Sequence, residues 1–333
     1  MDVGVSLSLA GLPLRQAMSF ATAAETAGMA AVSVGELTHD TFAAATAMGT
    51  ATTTIRLISG VATWQRPPVS CATGATTVDE ACGGRYTLGL GTMPAAWSAD
   101  FYGIDPSRPI PRMREYVDVV RRAMRAHSGA TCDFTGSFFE VRGYRRAAAP
   151  LRADLPVVLA ATRPAMASLA GEIGDGVYFN VIHTDAWLRE ILEPALRKGR
   201  DKSLRNGAFQ RVLMVRCAID NDEERAISHL RNSLRTYLFV PYLAEIARWA
   251  GFDLNDATTR ARSGDVDGAL AALPTALVMA MGVYGSPKQC AKQLTRYRGL
   301  VDTIVLAPPS GLPVEVGIQQ VESIIATHWQ DLL

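Results

Sequence analysis

Short apolar runs alternate along the chain with longer segments whose apolar positions recur every three or four residues. Residues 3–9 form the first such run and predict a strand; residues 14–27 then place Ala17, Phe20, Ala21 and Ala24 on one helical face. The alternation continues, with strands predicted over 31–35, 55–62, 86–91, 157–161, 176–179, 211–219 and 303–307. Between them, helices are predicted over 42–50, 69–81, 111–126, 164–172, 185–198, 287–298 and 316–329. Pro111 stands near the first turn of its helix, where a missing N–H is no loss. Residues 132–141, with Thr135-Gly136-Ser137 at their centre, read as a hairpin.

Strands separated by helical crossovers must pair in parallel, since only a connection of about a dozen residues or more can return the chain in the same direction. Eight such units favour a closed (β/α)8 TIM barrel over an open doubly wound sheet, the alternative architecture. Nothing Pro/Ser-rich or low in complexity divides residues 1–333, which predicts a single domain. Residues 222–283 are mostly helical in pattern and too long for one crossover, so they read as a helical insertion before the last strand.

Composition narrows the function. Apolar residues make up 48% of the 333 and charged residues 20%, enough for a large core. A net charge of +1 excludes the basic footprint of a nucleic-acid binder and argues against a membrane surface. The most apolar window, 269–281, is interrupted by Pro274 and too short to span a bilayer, and the N-terminus lacks the basic region of a signal peptide. Cys71, Cys82, Cys132, Cys217 and Cys290 are scattered and odd in number, without a C-x-x-C pair. They suggest neither a disulfide framework nor a zinc site, and fit the reducing cytoplasm.

In a barrel of this kind the chemistry sits at the C-terminal ends of the strands. After the second strand come Glu36, His39 and Asp40. Glu36 and His39 are candidates for acid/base work or substrate contact; Asp40 or Thr41 suits a helix cap better. Gly60, ending the third strand, permits close approach to a planar ligand or a bulge, and Trp64 could wall a ring pocket or simply occupy the rim. Leu88-Gly89-Leu90-Gly91-Thr92-Met93 lacks the third glycine of a dinucleotide fingerprint. Ala160-Ala161-Thr162-Arg163-Pro164 places a hydroxyl and a guanidinium at a helix start, suited to a phosphate, or to a plain cap with an exposed arginine. The sixth strand then delivers Asn180. No zincin, P-loop or nucleophile-elbow motif occurs, so the reading is a barrel whose reactivity comes from a redox cofactor.

The run Ala24-Glu25-Thr26-Ala27-Gly28 followed by Val32-Ser33-Val34-Gly35-Glu36 resembles the opening of bacterial luciferase-like enzymes, which include F420-dependent reductases and dehydrogenases and FMN-dependent monooxygenases. The likeness extends through 55–61, 83–91, Tyr102-Gly103-Ile104-Asp105, Arg112-Met113-Arg114-Glu115, Gly285-Ser286-Pro287 and 301–306, leaving out 222–283. It implies a non-proline cis peptide at Gly60-Val61 beneath the cofactor ring. It also implies a cofactor site drawn from Gly60, Val61, Thr92, Ala160, Ala161, Thr162, Arg163 and Asn180, with Trp64 and Met93 toward the substrate. The 160–176 region looks most like the methylenetetrahydromethanopterin reductase branch, which implies coenzyme F420, with FMN as the alternative.

Two departures matter. Thr92-Met93-Pro94-Ala95-Ala96-Trp97 lacks the glutamate that some F420 enzymes carry after the fourth strand, which leaves Glu36 as the leading carboxylate. Gly28-Met29-Ala30-Ala31 stands where Phe-Asp is usual. The resemblance implies hydride transfer to or from a small-molecule substrate. The alternatives are a monooxygenase supplied by a separate cofactor-reducing enzyme, and a non-catalytic flavin-binding barrel. Homodimerisation is expected by the same likeness. Tyr237, Phe239, Tyr242 and Trp249 of the insertion either roof an apolar substrate or pack its own core.

Overall fold

A computed structural model describes residues 1–36 and 39–333. Its barrel strands are β1 (Asp2–Ser6), β2 (Ala31–Val34), β3 (Arg56–Ser59), β4 (Tyr86–Gly91), β5 (Val157–Ala161), β6 (Gly176–Phe179), β7 (Gln210–Ile219) and β8 (Thr303–Ala307). Each pairs in parallel with the next, and β8 returns to β1 through Asp2 opposite Thr303, so the sheet closes. Closure leaves no barrel strand with an open edge, and the amphipathic helices cover the outer face.

Two apolar layers result. Ala31, Ile58, Val158, Tyr178, Val212 and Val305, with Val61 and Met214 against them, come from six strands and fill the barrel interior. The larger core lies between the strands and the surrounding helices. In the first helix, Leu14–Thr26, the residues facing that core are Ala17, Phe20, Ala21 and Ala24, as their spacing predicts. Glu25, on the same helix, accepts the amides of Thr53, Thr54 and Ile55 at 2.8, 2.6 and 2.9 Å, fixing the entry into β3. The Thr54 amide leads in drawing its pKa down to about 2, against the opposing effect of burial. Glu25 of the opening motif is therefore structural.

Three departures from the sequence expectation have local causes. The third strand is not continuous over 55–62: the Gly60–Val61 peptide is cis, and pairing resumes at Ala62–Thr63 against Leu90 and Gly91. The loop expected after β4 contains a helix, Ala95–Tyr102, ended by Gly103 at φ +63. Only Ser98 of that helix is buried, so it carries no apolar stripe for periodicity to detect. Residues 185–200 are helical but widen into a π-turn over Leu188–Leu192, just before Pro194, which has no N–H to continue the ordinary ladder.

Between β7 and the Pro287–Leu294 helix the chain forms helices Glu223–Asn232, Pro241–Trp249, Asn255–Arg262, Val266–Ala271 and Thr275–Ala280. The short strand Gly282–Gly285 then pairs with the outer half of β7, Arg216–Ile219. Trp249 meets Trp187 edge to face and Tyr237 lies near Tyr242, so aromatics of this segment pack within it and onto the barrel helices.

Candidate active site at the barrel mouth

The end of β3 builds a shelf. The Gly60 amide donates to the Val34 carbonyl at 2.9 Å, and the Glu36 amide donates to the Val61 carbonyl at 3.3 Å. A Cβ on Gly60 would lie 2.2 Å from Ser33 Oγ and 2.6 Å from Tyr178 Oη. Those two hydroxyls are hydrogen-bonded to each other at 2.9 Å in the barrel interior. From the other side, a Cβ on Gly91 would come within 2.6 Å of Val61 Cγ2 and 3.2 Å of Ala160 Cβ. The shelf thus exists only because small residues surround it, and it leaves Val61 and Ala160 partly accessible.

Beside the shelf stands a carboxylate held on one oxygen. Arg66 donates to Glu36 Oε1 at 2.6 Å and to Asp40 Oδ2 at 2.8 Å, while its guanidinium lies 4.9 Å above the Phe42 ring. Burial works against the charges of Arg66 and Asp40. Asp40 and Glu36 outweigh it to raise the Arg66 pKa, and the Ala43 amide and Arg66 outweigh it to lower that of Asp40. Asp40 also caps the following helix through the Phe42 and Ala43 amides. Glu36 Oε2 is buried with no hydrogen-bond partner among the described residues. His39 Nε2 lies 3.0 Å from the Leu12 carbonyl, to which it donates.

The other expected residues spread around the mouth. Trp64 is only 5% exposed, its indole N–H unpaired, with the Arg112 guanidinium 5.5 Å from the ring centre. It borders a cavity of about 540 Å³ with Gln65, Arg66, Arg112 and Phe138. Met93 adopts φ +61, and its sulfur takes a contact from Gln65 Nε2 at 3.6 Å; the Thr92 carbonyl accepts from Ser98. Ala160 and Ala161 end β5, and the Thr162 carbonyl accepts the Trp187 indole at 3.3 Å. Arg163, not Thr162, is the cap residue of the Pro164–Ile173 helix, and no side-chain bond closes that helix start. Arg163 is engaged by Glu245 of the insertion at 2.7 Å, so an anion at this helix start would compete with an existing ion pair. Asn180 Oδ1 accepts the Ile182 amide.

Three side chains at the site escaped the sequence reading. Arg66 holds Glu36, and its only sequence mark is a charge just before Pro67-Pro68. His183, between the Asn180 carbonyl (2.7 Å) and Tyr297 Oη (3.1 Å), is buried, which lowers its pKa to about 4. Arg216 follows Val212 and Met214 at alternate positions of β7 and therefore faces the barrel interior, one step nearer the mouth. A charged residue at an inward position of an otherwise apolar strand was the available signal. A larger concavity, about 880 Å³, lies at the opposite end beside Met1, Asp2 and Trp329, away from the strand ends that carry chemistry in barrels.

Among the described residues no three metal-ligating side chains cluster, no helix is long and apolar enough to cross a membrane, and all five cysteines are buried. Residues 1–303 match the family model described as luciferase-like monooxygenase, and the chain belongs to that family. A Mycobacterium tuberculosis protein named as a coenzyme F420-dependent oxidoreductase is 27% identical over 324 residues, which cover 88% of this chain and 91% of that one. A 5,10-methylenetetrahydromethanopterin reductase of Archaeoglobus fulgidus is 27% identical over 282 residues, covering 80% and 81%. In fold, the chain is similar to the solved coenzyme F420-dependent tetrahydromethanopterin reductase of Methanopyrus kandleri, with a TM-score of 0.83 and 18% identity over 100% of this chain and 99% of that one.

Proposed function

We propose that the protein is an F420-dependent oxidoreductase that transfers a hydride between the deazaflavin and a small organic substrate at the barrel mouth. The name of its Mycobacterium tuberculosis relative supports the cofactor. The observation that carries the reading is the pairing of a shelf cleared by Gly60 and Gly91 with a buried Glu36 Oε2 beside it that has no partner among the described residues. The residues fit a planar ring: Val61 and Ala160 offer a flat apolar floor, and no larger side chain could stand at Gly60 or Gly91. When bound there, the deazaflavin supplies a carbon that gives or accepts a hydride.

The chain's own residues do the rest. Gly60, Val61 and Thr92 bear on the ring, while Ala160, Ala161, Thr162, Arg163 and Asn180 line the way for the cofactor tail. Trp64 and Met93 close the substrate side and exclude water. Arg66 fixes Glu36 through Oε1, which leaves Oε2 to hold or release the proton that accompanies hydride transfer. His39 is the alternative group for exchanging that proton. A cytoplasmic location, where the buried thiols stay reduced, and a homodimeric state belong to the same reading.

The family description favours one competing reading, an FMN-dependent monooxygenase fed by a separate cofactor-reducing enzyme. Fluorescence titration with F420 and with FMN, each oxidised and reduced, tests the proposal. Selective micromolar binding of F420 is the expected result. Selective binding of FMN replaces the proposal with the monooxygenase, and binding of neither overturns both.

A further inference from the structure

Among the described residues, Arg216 of β7 has no carboxylate partner. Arg216 faces the barrel interior above Val212 and Met214, and its guanidinium donates to the Pro308 carbonyl at 2.7 Å, just past the end of β8. Its Nε is buried and unpartnered, and no carboxylate of the described residues lies within ion-pair distance. The neighbouring group from the insertion is the Tyr237 side chain. Arg216 is half-buried, and desolvating a guanidinium nitrogen without a partner is costly, so such a group facing the barrel mouth is readily explained by an anion that arrives with a ligand. Around the barrel, β7 stands opposite β3, which sets Arg216 across the mouth from the Gly60–Val61 shelf. The expected course of the cofactor tail, by contrast, runs along the ends of β5 and β6.

We infer that Arg216, with Tyr237 beside it, forms an oxyanion subsite that takes a carboxylate or phosphate group of the substrate and orients it against the ring. This deepens the proposed function by naming an acidic substrate class, and it rests on that reading for the ring's position. A guanidinium suits the role because its fork of N–H donors can grip two oxygens at once. The Pro308 carbonyl holds one of those donors and leaves others for the ligand.

The test uses the protein loaded with F420 and two probes, inorganic phosphate and succinate, titrated by calorimetry into wild type, Arg216→Met and Tyr237→Phe. At least one probe should bind wild type, and bind Arg216→Met at least tenfold more weakly, with F420 affinity unchanged. The stronger of the two probes identifies phosphate or carboxylate as the group. Tyr237→Phe keeps the guanidinium and should weaken the same probe by about threefold, which keeps the idea testable if Arg216→Met fails to fold. Equal probe affinities across all three proteins, or no binding to wild type, would overturn the subsite. A tenfold loss of F420 affinity in Arg216→Met would overturn it too, by assigning the arginine to the cofactor. Failure of wild type to bind F420 at all is a separate result and falls on the proposed function.

Discussion

Gly91→Ala should damage both the fold and the cofactor site, and its size follows from the packing at the shelf. The added methyl would sit 2.6 Å from Val61 Cγ2 and 3.2 Å from Ala160 Cβ, where carbon atoms normally rest about 3.5–4.0 Å apart. Rotating Val61 gives little relief, because its Cβ already lies 3.7 Å from the added methyl and, being β-branched, carries two methyls that rotation moves about that point. The Val61 side chain must therefore shift by about 1 Å, and overpacking of this kind costs about 1–3 kcal/mol. A floor displaced by ~1 Å should weaken F420 by about tenfold and slow turnover further, since misplacement on that scale can cost about 10²-fold. Urea unfolding and fluorescence titration of the same preparations measure the two effects. Gly207→Ala serves as the control, because nothing lies within 4 Å of its would-be Cβ. It should stay within about 0.5 kcal/mol of wild type, or gain slightly. If Gly91→Ala matches the control in stability and in F420 affinity, the shelf is not the cofactor's floor.

Further outcomes follow from the same coordinates. Glu36→Gln should bind F420 as wild type does but lower turnover about 10²-fold with any substrate found by screening; undiminished turnover would remove Glu36 from the chemistry. Arg152 grips the fully buried Asp79 with two nitrogens and also donates to the Tyr86 carbonyl, so Arg152→Met leaves a buried carboxylate alone. A loss of about 3–5 kcal/mol in denaturant unfolding is expected, and a loss below ~1 kcal/mol would contradict it. His183 is held neutral by burial, with its pKa lowered from 6.5 to about 4. The unfolded chain therefore takes up a proton that the native chain refuses, and stability should fall as pH drops from about 6.5 toward 4. His183→Gln should flatten that limb of the Tm-against-pH curve, and an unchanged slope would refute the assignment.

Much of this molecule was legible in order of residues alone. Apolar runs of four to nine residues alternating with 3.6-periodic segments bury their faces as parallel strands wrapped in helices, and four of the eight barrel strands match the sequence expectation residue for residue. Gly60 could likewise be marked in advance, because a missing side chain at a strand end is itself a physical statement about close approach, whereas Gly91 was not singled out for the shelf. Periodicity failed where burial is absent, at Ala95–Tyr102, whose solvated surface carries no pattern. It also gave no account of partners. Arg66 and Glu36 are 30 residues apart, His183 and Tyr297 114, and Arg216 and Pro308 92. Hydrogen bonds and ion pairs depend on distance in space, and closing the barrel is what brings the ends of distant strands onto one rim. The local pattern thus determined the elements and which face of each turns inward; only the closed barrel decided which charges meet there.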